Sequence, residues 1–420
     1  MKLLSVLVCL NVAGAAGAAS AVDLRGHGGP VRAIVVRPDE IATAGFDTAI
    51  IRWDPARGTA RQVLRFHDGA VNALAPLPGG GLASAGEDRR IAIWPAGGIK
   101  PARVLEGHEG PIAGLSVSRD SRTLASASWD GSVRLWDLAT GASRVLGEHR
   151  GPVNAVLHHG DRILTAGHEG KLRSFPPEGA PTIRELGLPI NALVAAGSEI
   201  VAAGADGKLR FFDDDLNETG EVAVSEVPLV ALAASADGRR VAAAGFRGAL
   251  VIVERKDRGI LRRLSGPAFP LWSLAFSADG TEILTGGADR LVRRWSVETG
   301  EPVSPVITEA TEERLKAFEG HRGAQVFRAC VACHTLSPDD GNRAGPTLHG
   351  IMGRRIATAR GYAFSPALTK MDIVWSKETV AKLFEIGPMA YTPGTKMPEQ
   401  TIGNAEDRAA LVDFLEKAAR

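Results

Sequence analysis

Residues 107–137 read GHEGPIAGLSVSRDSRTLASASWDGSVRLWD. Gly107-His108 opens the unit and a strand-like alternating run follows. A turn falls at Arg119-Asp120, a second run contains LASAS, and Asp130-Gly131 turns the chain into VRLWD. Period-two alternation bounded by Gly and Asp turns predicts short antiparallel strands. The pattern recurs, with Trp53, Trp94, Trp136, Phe175, Phe212, Val253 and Trp295 in corresponding places at spacings of 41, 42, 39, 37, 41 and 42 residues. Seven such units of four strands predict an all-β, seven-bladed β-propeller over residues 22–300, because one unit cannot bury its own faces and must stack on its neighbours.

The repeat resembles the WD40 family. In that family a His, a Ser or Thr, an Asp and a Trp form a hydrogen-bonded ladder within each blade. The matching sets are His27, Thr43, Asp47 and Trp53; then His67, Ser84, Asp88 and Trp94; then His108, Ser126, Asp130 and Trp136. The fourth repeat keeps His149 and Thr165 but has Glu169 and Phe175. The fifth keeps Asp206, the sixth has Arg247 instead, and the seventh has Thr285, Asp289 and Trp295 without a His. Such ladders satisfy buried polar groups that would otherwise cost about 1–3 kcal/mol each, so their four histidines are read as structural. Ring closure needs a strand borrowed from the far end of the repeats, and either Val22–Leu24 or residues 302–307 fit that need.

The 420 residues carry 49 Lys+Arg against 48 Asp+Glu, a net charge of +1. Nucleic acid is therefore not the expected partner, since phosphate binding calls for a basic surplus. Three Cys provide no disulfide framework. One of them, Cys9, lies in an N-terminal stretch with a basic start, an apolar run from Leu3 to Leu10 and small residues ending in Ala19-Ser20-Ala21. That layout predicts a signal peptide over residues 1–21 and a mature start near Val22. No later stretch is long and apolar enough to span a membrane.

After Gly300 the repeat stops, and a Pro-containing linker over 301–312 leads into a different kind of sequence. Cys330-Val331-Ala332-Cys333-His334 follows. C-x-x-C-H is the c-type haem attachment signature: two thiols add to the vinyl groups and the adjacent imidazole takes the iron from one face. A zinc knuckle would require a second Cys/His pair, and a thioredoxin-like redox pair would require a βαβ setting.

Residues 313–420 resemble class I cytochrome c, a small all-α domain, and particularly its mitochondrial-type branch. The resemblance rests on Gly323-x-x-x-Phe327 before the haem motif, GPTLHG from Gly345 to Gly350, Gly353-Arg354-Arg355, Trp375, Pro393-Gly394-Thr395-Lys396-Met397, and a final helix with Leu411, Phe414 and Leu415. It implies one covalent haem c held at Cys330 and Cys333, with His334 as proximal and Met397 as distal iron ligand. A His/Met pair implies a high potential. It also implies that the Pro346 carbonyl orients His334, that Arg354 and Trp375 bind a propionate, and that Thr395 sits beside the ligand loop. The family's usual propionate-binding tyrosine is replaced by Phe364, with Tyr362 two residues earlier as the cofactor-binding candidate. Met352, Met389 and His349 are rival ligands, and the PGTKM context favours Met397.

Two filled axial positions leave the iron no vacant site, which favours electron transfer over oxygen chemistry. Export signal and haem motif agree on a periplasmic location. The expectation is an electron carrier rather than an enzyme, serving redox partner proteins, with the propeller as a docking scaffold. The alternative is a catalytic propeller with its own cofactor, using the cytochrome as electron outlet; His158, His159 and His168 are its only surplus of metal-binding residues. Residues 310–420 hold 15 Lys+Arg and 13 Asp+Glu, so charge steering toward a partner is expected to be modest. Electron exchange further leads one to expect a haem edge exposed to solvent rather than buried against the ring.

Overall fold

The structure is a computed structural model that describes residues 22–264, 269–303, 310–331, 333–337 and 341–420. The expected signal peptide and part of the expected linker lie outside the described residues. Among the described residues, twenty-eight strands form seven four-stranded antiparallel sheets, each a meander of consecutive strands except the last. The second strands of the blades, such as Ile41–Gly45, Leu82–Gly86 and Arg240–Gly245, are buried almost throughout. They are rich in Ala, whose small side chain lets adjacent sheets approach closely. The expected seven-bladed ring is therefore present, including the fifth and sixth blades where the ladder residues are sparse.

The seventh blade combines Leu271–Phe276, Glu282–Gly287 and Leu291–Ser296 with the N-terminal strand Leu24–Arg25. Leu24 pairs with Val292 and Arg25 with Leu291. The N-terminal strand thus supplies the missing fourth strand, and the later segment adds one bridge alongside it, Pro302 to Trp295.

The ladders explain how each blade holds its turn. Asp47 accepts from His27 Nδ1 at 3.0 Å, which places the ring proton on Nδ1 and leaves Nε2 as acceptor. The Thr43 hydroxyl then donates to Nε2 at 2.7 Å and accepts the Trp53 indole N–H at 2.7 Å. The second and third blades repeat this through Ser84 and Ser126. In the fourth, Thr165 meets His149 at 2.8 Å, but Phe175 has no N–H to offer. In the fifth and seventh blades, which lack the His, an Arg four residues after the turn acid holds it: Arg210 on Asp206 at 2.6 Å and Arg293 on Asp289 at 2.8 Å.

Six helices follow the ring in the described residues: α1 (Ala310–Ala317), α2 (Arg322–Phe327), α3 (Pro366–Thr369), α4 (Lys377–Ile386), α5 (Pro388–Tyr391) and α6 (Ala405–Ala418). α2 and α6 cross at Gly323, where a Cβ would lie 1.9 Å from the Ala410 carbonyl oxygen, so only glycine permits the approach. Phe327 and Phe414 pack at this crossing with ring centroids 5.3 Å apart. Asn404 caps α6 by accepting from Glu406 and Asp407 amides, and a Ser376–Thr379 capping box opens α4. A core of Leu315, Phe327, Leu336, Val380, Leu383, Phe384, Leu411 and Leu415 joins these elements. No helix among the described residues is long and apolar enough to cross a membrane.

Candidate functional site

The turn that leaves α2 carries both thiols and the imidazole. Cys330 N donates to Phe327 O at 2.8 Å, Cys333 N to Cys330 O at 3.0 Å and His334 N to Cys330 O at 2.9 Å. One tight helical turn therefore turns all three side chains toward a single cleft of about 1230 Å³, its open mouth included. Burial raises the Cys330 thiol to about 12, with Cys333 adding to the effect, and burial also raises Cys333. Both are free thiols here and stand in for the sulfurs of thioether bonds.

His334 Nδ1 donates to the Pro346 carbonyl at 2.7 Å. That bond fixes the tautomer and aims Nε2 into the cleft. Gly345 makes the ring position possible, because a Cβ there would fall 2.4 Å from His334 Cε1. Burial, set against the Pro346 bond, keeps the imidazole pKa below its usual value.

All nine residues expected at the site line this one cleft: Cys330, Cys333, His334, Pro346, Arg354, Tyr362, Trp375, Thr395 and Met397. The rival ligands Met352, Met389 and His349 are not among its lining. Thr395 Oγ1 accepts the Met397 amide at 3.1 Å and so shapes the methionine loop. Arg354 is committed to the carbonyls of His349 at 2.9 Å and Thr347 at 2.6 Å, and the backbones of Arg354 and Trp375 pair directly. The Tyr362 hydroxyl is also committed: it donates to Ala344 O at 2.7 Å and accepts from Arg65 Nε at 2.8 Å. Leu348, Ile351, Leu368, Leu383 and Phe384 make the walls apolar. Two thiols, an oriented imidazole and a thioether around a slot with apolar walls fit a covalently held haem.

The propeller reaches the cleft. Gly28 of the propeller approaches so closely that a Cβ there would lie 2.6 Å from Cys333 Sγ. Residues 361–363 run parallel to the outer strand of the first blade, Ala60–Arg65: Val63 N donates to Gly361 O at 3.3 Å and Ala363 N to Val63 O at 3.2 Å. The cytochrome thereby covers an exposed sheet edge, and the ring gains a partner for its unpaired backbone groups. Lys396, next to Met397, pairs with Asp68 at 2.6 Å. Arg65 itself lines the cleft. Sequence reasoning missed Arg65 and Gly28; within the repeat, both read as ordinary strand and turn residues.

His158, His159 and His168 are not gathered into a site. His159 pairs with Asp214 at 2.9 Å, and the described residues hold no group of three or more His, Cys, Asp and Glu suited to a metal.

Fold and cleft together define a haem-binding α-helical domain carried on a propeller. Residues 58–95, 99–137 and 259–296 match the WD domain, G-beta repeat family, and residues 321–419 match the Cytochrome c family. A cytochrome c of Cochliobolus lunatus is 36% identical over 103 residues, which is 24% of this chain and 94% of that protein. Those of Stellaria longipes and Arabidopsis thaliana are 35% and 36% identical over 107 and 103 residues, 25% and 24% of this chain and 98% and 91% of theirs. Through its C-terminal domain the chain belongs to the cytochrome c family, fused here to WD40 repeats. Haem c, electron transfer and redox partners follow from that membership.

Proposed function

We propose that this chain is a periplasmic electron carrier with one covalent haem, ligated by His334 and Met397, and that its propeller is the scaffold on which redox partners dock. The observation that carries the reading is the convergence of Cys330, Cys333, an imidazole oriented by Pro346 and the Met397 loop on one cleft. Bound haem supplies the one-electron couple. The protein's part is to hold and orient: His334 presents Nε2, Thr395 holds the Met397 loop, and the apolar walls keep water from the iron, which favours the less charged reduced state. Arg354 and Trp375, whose backbones pair and which both line the cleft, would hold a propionate.

Docking is supported by two aromatics on the propeller face nearest Cys333. Phe46 and Trp129 each precede the turn Asp of their blade and are 45% and 44% exposed. Exposed aromatics on loops are the residues that anchor protein partners. A periplasmic location is supported by the N-terminal segment and by the haem motif, whose attachment takes place outside the cytoplasm.

The test is a cofactor census on protein exported in a haem-attaching host, with N-terminal sequencing and cell fractionation. One covalent haem per chain, a start near Val22 and recovery from the periplasm are the expected results. A second metal or organic cofactor bound within residues 22–300 would transfer the chemistry to the propeller.

A further inference from the structure

We propose that the propeller supplies one wall of the haem pocket, with Arg65 as a cation of that wall that raises the iron potential, so that the redox centre is built by both domains. The inference rests on the haem reading above and adds a residue outside the cytochrome domain to it.

Arg65 ends the outer strand of the first blade, a position where a long charged side chain is normally solvated. Here its guanidinium is fixed on every side. Nε donates to Tyr362 OH at 2.8 Å, one terminal nitrogen donates to Asp47 O at 3.0 Å and Thr48 Oγ1 at 3.1 Å, and the other donates to Ala344 O. Two of these acceptors belong to the propeller and two to the cytochrome. All are neutral oxygens. The nearest carboxylate, Asp47, is itself held by His27 and by the Gly28 amide at 2.7 Å. A guanidinium whose hydrogen bonds all go to neutral acceptors keeps its charge, and its field, offset in part by the buried Asp47 carboxylate, reaches the cleft that it lines.

Thr48 shows that this arrangement has a structural cost. The residue has φ +62°, in the left-handed region, where the equivalent turn positions have Gly131, Gly170, Gly207 and Gly248 in the third to sixth blades and the unbranched Arg89 and Arg290 in the second and seventh. A β-branched residue is strained there by about 1–3 kcal/mol. Its hydroxyl is one of the four acceptors holding Arg65. The wall also leaves no slack: Gly28 lies against Cys333 Sγ, and Ala344 N donates to Gly26 O at 2.5 Å.

A fixed positive charge beside the pocket opposes the extra positive charge of the oxidised iron, so removing it lowers the midpoint potential. The experiment is a redox titration of the full chain carrying Arg65→Met, Arg65→Lys or, as an exposed control on the same blade, Arg57→Met. Arg65→Met is expected to weaken the preference for the reduced state about tenfold, ~59 mV for one electron. Arg65→Lys is expected to retain most of the potential, and Arg57→Met all of it. An unshifted potential in haem-loaded Arg65→Met would overturn the proposal. If that variant does not fold, Gly28→Val decides: its Cβ pushes the wall off Cys333 without touching the cytochrome sequence, and it too must lower the potential. Failure to find covalent haem in the unaltered chain would defeat the haem reading itself, a result distinct from an unshifted potential.

Discussion

Replacing Thr43 by Val keeps the shape of the side chain and removes one hydroxyl from the interior of the first blade. That oxygen serves two buried groups, His27 Nε2 and the Trp53 indole N–H, each at 2.7 Å. Both residues are almost wholly buried, so neither group can turn to water instead. Each orphaned polar group costs about 1–3 kcal/mol, so Thr43→Val is expected to destabilise the propeller by about 2–6 kcal/mol. The fourth blade provides an internal control. Thr165 is equally buried and meets His149 at 2.8 Å, but Phe175, which stands in the place of Trp53 on the next strand, has no N–H to donate to it. Thr165→Val orphans one group, and the expected loss is about 1–3 kcal/mol. The difference between the two variants isolates the indole bond. Urea unfolding followed by tryptophan fluorescence gives both values from midpoint shifts, provided the slope m is unchanged. Equal losses in the two variants would refute the account of the ladder as additive, individually satisfied bonds.

Acid is expected to weaken the ring in a defined window. Burial, reinforced by the charge of Arg173, holds His149 down at about 4, whereas the unfolded chain titrates near ~6.5. Between these values the unfolded state binds the extra proton, so stability falls as pH drops from 6.5 toward 4, by up to about 3 kcal/mol. Unfolding midpoints at neutral and acid pH should therefore converge in His149→Gln; an undiminished pH dependence would show that the loss arises elsewhere. Gly323→Ala places a Cβ on the Ala410 carbonyl, forces α2 and α6 apart, and is expected to cost about 1–3 kcal/mol in urea unfolding of the cytochrome domain followed by its haem absorption. In Gly345→Ala the new methyl displaces the His334 ring and strains its bond to Pro346. An altered visible spectrum with haem still covalently attached is the expected result, and an unchanged spectrum would count against the packing argument.

The repeat was legible because its turn acids, indoles and histidines recur at a nearly constant period. The fifth and sixth blades were faint for a physical reason. Their strands are held by Ala packing and, in the fifth, by Arg210 on Asp206, which in sequence looks like any surface ion pair. The haem cleft was legible because Cys330 to His334 act within one helical turn, and because glycines such as Gly345 mark places where nothing larger fits. The domain contact was not legible. Arg65 and Tyr362 are 297 positions apart, and a charged residue ending an outer strand carries no local sign of its partner. Nor could the sequence choose between the two closing segments, since both are short, apolar and adjacent to the repeats.

The way the ring closes bears on how the chain is made. Leu24 pairs with Val292, 268 residues later (292 − 24), so the first strand to be synthesised is the last to be placed. The first six blades assemble from hairpins that are local in sequence, whereas the seventh waits on a contact of very high sequence separation, the kind that slows folding. Until then the seventh blade lacks its fourth strand, and the growing protein is an open arc that ends in two uncovered blade faces. A product truncated before residue 291 stays in that state permanently, offering its uncovered apolar faces to other chains and its unplaced N-terminal strand to proteases. The first blade's flank is finished later still, once residues 361–363 have been added alongside Ala60–Arg65. Assembly therefore has two stages: the ring closes once residues 291–292 have been made, and the outer edge of the first blade is covered only after the cytochrome segment 361–363 has followed.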